Sequence, residues 1–293
     1  MSFDTPFILT FGTLAAAVLS LWLPAPALRG KNDWLWAPLL ALAALLGVAN
    51  GFLEWQAPLW LLLFAALAVL ARDTRQTWLR IPLLLATCIA PLLFAAHRFP
   101  GFHNPVLASG LQFSPGAPPF NLHVNFDMAA VGVILMGVFC PRARTVADWT
   151  GMLRRTWPIT LSTLIVVLGL GLLLGYVRPD PKWTPYSLAF LCGNLLFTCV
   201  TEEAFFRGVI FAALARRMAA WRFGPAAAAI VSALLFGAAH ARGGMTLVLL
   251  ATIAGLHYAA AYARSARIEG AILTHFALNA VHFVCFTYPY LAG

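Results

Sequence analysis

The chain has 293 residues, of which 61% are hydrophobic and 10% charged, and its mean hydropathy is +0.83. Soluble domains carry about 25% charged residues, so the composition excludes an ordinary soluble globule and indicates a polytopic membrane protein. The net charge of +9 is spread in short basic clusters between apolar runs, the pattern of membrane loops; no nucleic-acid-reading motif accompanies it, so no nucleic-acid partner is expected.

Apolar runs of about 20 residues between charged or Pro/Gly breaks predict about ten spans. In chain order they are Phe7–Leu23, Trp34–Phe52, Pro58–Ala71, Ile81–Ala96, Asp127–Phe139, Pro158–Tyr176, Tyr186–Ala215, Gly224–His240, Thr246–Ala263 and Ile268–Leu291. The third and fifth are short enough to be re-entrant or to extend beyond these limits. The first, followed by Ala25-Pro26-Ala27, has the outline of a signal peptide, but Asp4 stands where a basic region would be, and the segment is read as a span. With the N-terminus outside, inside loops hold Arg29/Lys31, Arg72/Arg75/Arg80, Arg142/Arg144/Arg154/Arg155, Arg216/Arg217/Arg222 and Arg264/Arg267. Only Arg98, Arg178, Lys182 and Arg242 fall outside, an asymmetry that supports ten spans with both termini outside.

Residues 97–125 form the one long connection, read as a surface loop or cap; its His97, His103 and His123 lack metal-ligand spacing. Cys88, Cys140, Cys192, Cys199 and Cys285 show no CxxC pattern and are read as small core residues. Gly171 and Gly175 match GxxxG and suggest close helix packing.

Three charges interrupt the seventh run: Glu202, Glu203 and Arg207. Each costs about 2.5–3.5 kcal/mol at the centre of a membrane helix, so such residues mark a cavity and its chemistry. On an α-helix Arg207 shares a face with Glu203, four residues earlier, and pairs with it, which makes Glu203 structural. Glu202 lies about 100° round the helix and is the candidate general base. Phe236 with His240, and His275 with Asn279, are also four apart and share faces. An imidazole and a carboxamide one turn apart make a donor pair suited to an oxyanion. His282, on the face of His275 and Asn279, is expected to pack beside them; His257 is expected to pack, and Glu269, after Arg267 at a membrane edge, to be solvated. The span limits place His240 near the outer end of its helix and His275 nearer the inner end of its own, so a common site requires offset, tilted or broken helices.

These residues carry a resemblance to the CPBP family of intramembrane glutamate proteases, which includes the type II CAAX prenyl endopeptidases. It covers roughly residues 120–290 and rests on Glu202-Glu203-xxx-Arg207, Phe236-xxx-His240 and His275-xxx-Asn279, with Asn125-Phe126-Asp127 as a similar segment ahead of them. The resemblance implies that Glu202 and His240 activate water, that His275 and Asn279 hold the oxyanion, and that Glu203 with Arg207 braces the site. The expected fold is thus all-α, a polytopic transmembrane helix bundle. Residues 1–120 form N-terminal helices and the long loop, and 121–293 a CPBP-like catalytic core. The expected partners are the lipid bilayer and a membrane-embedded peptide or protein substrate, with no cofactor or metal, in a bacterial-type cytoplasmic membrane. Two alternatives remain: a zinc-dependent version with Glu202, His240 and His275 as ligands, and a non-catalytic immunity factor, scaffold or transporter.

Overall fold

A computed structural model describes residues 4–23 and 34–292; Arg29, Lys31 and Ala25-Pro26-Ala27 lie outside the described residues. Among the described residues, ten helices follow the ten predicted runs in order. They are α1 (Thr5–Ser20), α2 (Trp36–Ala49), α3 (Gln56–Asp73), α4 (Thr77–Ala95), α5 (Phe126–Phe139), α6 (Val146–Leu173), α7 (187–217), α8 (Gly224–Ala239), α9 (Gly244–Ser265) and α10 (Ile268–Cys285). Five of them, α3, α4, α6, α9 and α10, are long and apolar enough to cross a membrane. Four more, α1, α2, α5 and α8, are apolar with 14–16 residues. The chain is an integral membrane protein with an all-α bundle fold.

Several limits move. The third run extends to an 18-residue helix, whereas the fifth stays at 14 residues. Helix α6 begins at Val146 rather than Pro158, because Thr145 and Asp148 form a capping box that starts it early. The long connection is not wholly irregular: β1 (Val106–Leu111) pairs with β2 (Phe120–His123). The Gly171/Gly175 spacing is a helix terminator rather than a packing motif. Gly175 adopts φ +66°, and Tyr176 N–H donates to Gly171 O at 2.8 Å while Gly175 N–H donates to Leu172 O at 3.1 Å. This is a Schellman cap, whose left-handed residue glycine adopts without a Cβ penalty.

The chain divides into two compact units. The first contains α1–α4, α5 and residues 196–205 of α7. Its centre is α5, buried on nearly every side and packed by α1–α4 and by residues 200–203, which is why its sequence is apolar all round. Its first turn is polar and fully satisfied: buried Asp127 accepts from Asn104 Nδ2 at 3.0 Å, Met128 N–H at 2.8 Å and His97 Nδ1 at 2.8 Å. His103 pairs with Glu54 at 2.9 Å, so two of the three loop histidines serve carboxylates in this unit.

The second unit contains 107–122, α6, the rest of α7, and α8–α10 with the C-terminal segment. Helix α9 is its hub, packed by α6, α8 and α10. Glu269 is not solvated: it is 2% exposed and accepts from Ala143 N–H at 2.8 Å, while Arg267 turns to Asp148 at 2.7 Å. Beyond α10 the chain is laced to residues 176–182. Asp180 N–H donates to Cys285 O at 2.8 Å, Lys182 N–H to Val284 O at 2.7 Å and Thr287 N–H to Arg178 O at 2.9 Å. Burial works to raise the Asp180 carboxyl, but bonds from Ser114 and the Lys182 ammonium outweigh it and hold the group below its ordinary range.

Within the first unit one small residue sets the spacing of the glutamate-bearing segment. A Cβ on Gly132 of α5 would lie 2.1 Å from Thr201 Oγ1 and 2.9 Å from Thr201 Cα, and the Thr201 hydroxyl donates to Met128 O at 3.0 Å. Gly132→Ala is therefore expected to destabilise the protein by about 1–3 kcal/mol through overpacking. Gly151→Ala in α6, where nothing lies within 4 Å, should be neutral or stabilising by up to about 1 kcal/mol. Thermal unfolding of the two detergent-solubilised variants checks the contrast.

Candidate functional site

Helix α7 carries the acidic pair and is not a uniform α-helix. Residues Asn194–Cys199 and Ala204–Phe211 are π-helical, and only Val200–Glu203 between them is α-helical. Short π segments accompany functional sites, and here they flank both glutamates. Hydrogen bonds in the π-helical stretches run i→i+5 rather than i→i+4. In the first unit, Glu203 is 0% exposed whereas Glu202 is half-buried, so the two residues differ in exposure.

The second unit gathers Arg207, His240 and His275 around one aromatic ring, that of Phe236. Arg207 is 0% exposed; its Nη2 donates to Gly255 O at 2.9 Å. Its guanidinium carbon lies 4.6 Å from the Phe236 ring centroid, 5.2 Å from Tyr258 and 5.8 Å from Phe206, a cation held against negative π faces. The approach depends on Gly255, where a Cβ would come 3.1 Å from Arg207 Nη2. Phe236 also touches both histidines, His240 at 4.7 Å and His275 at 5.6 Å between centroids. The two histidines predicted at different depths are thus gathered on one ring. Phe236 is 12 residues into α8 and His275 seven into α10, so the helices are staggered by about 8 Å at 1.5 Å per residue.

His240 closes α8 as its C-cap residue, with Nδ1 2.8 Å from Phe236 O. A carbonyl only accepts, so Nδ1 carries the proton, and in the neutral form of the ring Nε2 is the acceptor. His275 is 3% exposed and stacks face to face on Tyr258, with centroids 4.6 Å apart and planes at 17°. Asn279, one turn along α10, donates from Nδ2 to Asn194 Oδ1 at 3.2 Å.

His282 turns to the C-terminal segment, with Nε2 donating to Thr287 O at 3.2 Å and its ring 5.2 Å from Tyr288. His257 bonds Ile253 O at 2.9 Å and Ser162 at 3.3 Å. Sequence reasoning missed Asn194, Gly255 and Tyr258. Asn194 could have been found as a carboxamide inside an apolar run. Tyr258 and Gly255 carry no such signal, since their role depends on which helix faces α9. Among the described residues, no group of three or more His, Cys, Asp or Glu side chains is arranged to hold a metal ion.

No curated protein and no solved structure matches the chain. Residues 182–281 do match a family model, that of the type II CAAX prenyl endopeptidase Rce1-like proteins. The matched stretch holds Asn194, Glu202, Glu203, Arg207, Phe236, His240, Gly255, Tyr258, His275 and Asn279, and stops one residue short of His282. Over this C-terminal stretch the chain is similar to the Rce1-like type II CAAX prenyl endopeptidases, which supports the resemblance read from its motifs.

Proposed function

We propose that the protein is an intramembrane endopeptidase that hydrolyses a peptide bond in a membrane-anchored or lipidated substrate, using a water activated by Glu202. The observation that carries this reading is the family match, whose limits enclose Glu202, Glu203, Arg207, Phe236, His240, His275 and Asn279. The difference in exposure between half-buried Glu202 and fully buried Glu203 supports giving Glu202 the chemistry and Glu203 the structural part.

In this mechanism Glu202 takes a proton from water as it attacks the scissile carbonyl. His240 assists through Nε2, the nitrogen its Nδ1 bond to Phe236 O leaves as acceptor. Negative charge then develops on the carbonyl oxygen, and His275 and Asn279 donate to it. A primary carboxamide carries two N–H donors, so the bond to Asn194 is compatible with one to the oxyanion. Proton return to the amine completes the cleavage. Glu203 and Arg207 act as a brace. The same reading has all ten helices crossing a bacterial-type cytoplasmic membrane, with both termini outside.

Glu202→Gln is expected to abolish cleavage of a defined membrane peptide while the protein remains folded and inserted. Glu203→Gln should lower yield and melting temperature at least as much as turnover, because it removes the carboxylate assigned to a buried cation. Purified Glu202→Gln with wild-type activity would overturn the assignment.

Loss of one oxyanion donor costs ~10²–10³ in turnover. Asn279→Ala should slow kcat by that order with little change in KM, since the bond strengthens only in the transition state. His282→Ala should do much less, and the reverse ranking in steady-state kinetics would move the donor pair one turn along α10.

Activity is expected to survive prolonged chelation. A loss that zinc restores, but calcium and magnesium do not, would instead assign Glu202, His240 and His275 as ligands.

A further inference from the structure

An imidazole that donates to a developing charge must hold its plane, and a ring that rotates about its Cβ–Cγ bond spreads that donor over an arc. His275 has an aromatic ring against it on two sides. Tyr258 lies parallel to it at 4.6 Å and 17°, and Phe236 stands perpendicular to it at 5.6 Å and 85°. Rotation of the imidazole would drive its edge into the phenol face.

Tyr258 is itself fixed. It is 1% exposed, stands edge-on to Phe236 at 5.7 Å and 82°, and lies 5.2 Å from the Arg207 guanidinium carbon. Two rings therefore contact both the buried cation and the histidine. Phe236 belongs to the motif shared with His240, whereas Tyr258 stands outside every motif singled out in the sequence.

We propose that Tyr258 is a positioning residue that fixes the plane of the His275 imidazole through their face-to-face stack. The kinetic consequence of this proposal rests on the endopeptidase reading; the orientation of the ring does not. The flat face is the working feature, so phenylalanine should replace tyrosine and a flexible aliphatic chain should not.

The test uses full-length protein in nanodiscs with 13C-labelled histidine. Wild type and Tyr258→Phe are expected to give one His275 imidazole environment, and Tyr258→Leu several, or one broadened by exchange. Should Tyr258→Leu fail to fold, Tyr258→Met fills the volume without a flat face and takes its place. On a defined membrane peptide, Tyr258→Leu should lower kcat by up to ~10²-fold, the scale of a misplaced catalytic group, with KM little changed, and Tyr258→Phe should restore kcat and its pH profile. A single unchanged His275 environment in Tyr258→Leu overturns the proposal whatever the activity. Equal loss of kcat in Tyr258→Phe and Tyr258→Leu also overturns it, by assigning the effect to the hydroxyl. An active Glu202→Gln would instead overturn the peptidase mechanism and leave the spectroscopic comparison decisive for Tyr258.

Discussion

A guanidinium sealed from water has to be satisfied wholly by its surroundings, and much of the second unit is arranged around that requirement. Arg207 stays charged at any biological pH, and stripping such an ion of solvent costs several kcal/mol. Within its unit it receives the Gly255 carbonyl and the faces of Phe206, Phe236 and Tyr258. These come from α7, α8 and α9, so one cation specifies how three helices meet. Gly255 must be small because a Cβ there would lie 3.1 Å from both Arg207 Nη2 and Ala233 Cα. His240 and His275 then inherit their placement, since the Phe236 and Tyr258 rings that meet the cation also meet the imidazoles.

The first unit solves a different problem, holding a helix that is apolar all round and too short to be anchored by its length. Helix α5 is fixed at its first turn by Asp127, whose oxygens accept from Asn104, Met128 and His97. One turn further, the backbone of Gly132 lets residue 201 approach, and Thr201 donates back to the Met128 carbonyl. The segment bearing Glu202 and Glu203 is thereby set against the most deeply buried helix of its unit.

Much of this was legible in sequence because apolar runs and their basic breaks are strong signals. Among the described residues the ten runs became ten helices in order, and the resemblance that the match over residues 182–281 supports rests on residues four apart in the sequence. Boundaries were less legible where local capping overrode composition. The Thr145–Asp148 box starts α6 amid charged residues, and Gly175 serves the end of α6 rather than a helix interface. The environment of His275 was invisible, because a stack between α9 and α10 leaves no periodic trace in either. Glu269 was misjudged for a related reason. Its neighbour Arg267 suggested a wet edge, but the loop after α5 brings Ala143 N–H to it.

The π-helical stretches of α7 carry a further consequence for how this family segment can vary. Hydrogen bonds there run i→i+5, so angular phase along the helix is set jointly by residue count and by where the wide turns fall. Substitutions within Ala204–Phe211 leave that phase intact. Adding or removing one residue does not, unless a wide turn opens or closes to absorb it: otherwise everything downstream turns, carrying Ala212–Arg217 to another face while the helix stays helical. Between the glutamates and the basic end of α7, the chain is more tolerant of a change in side chain than of a change in length.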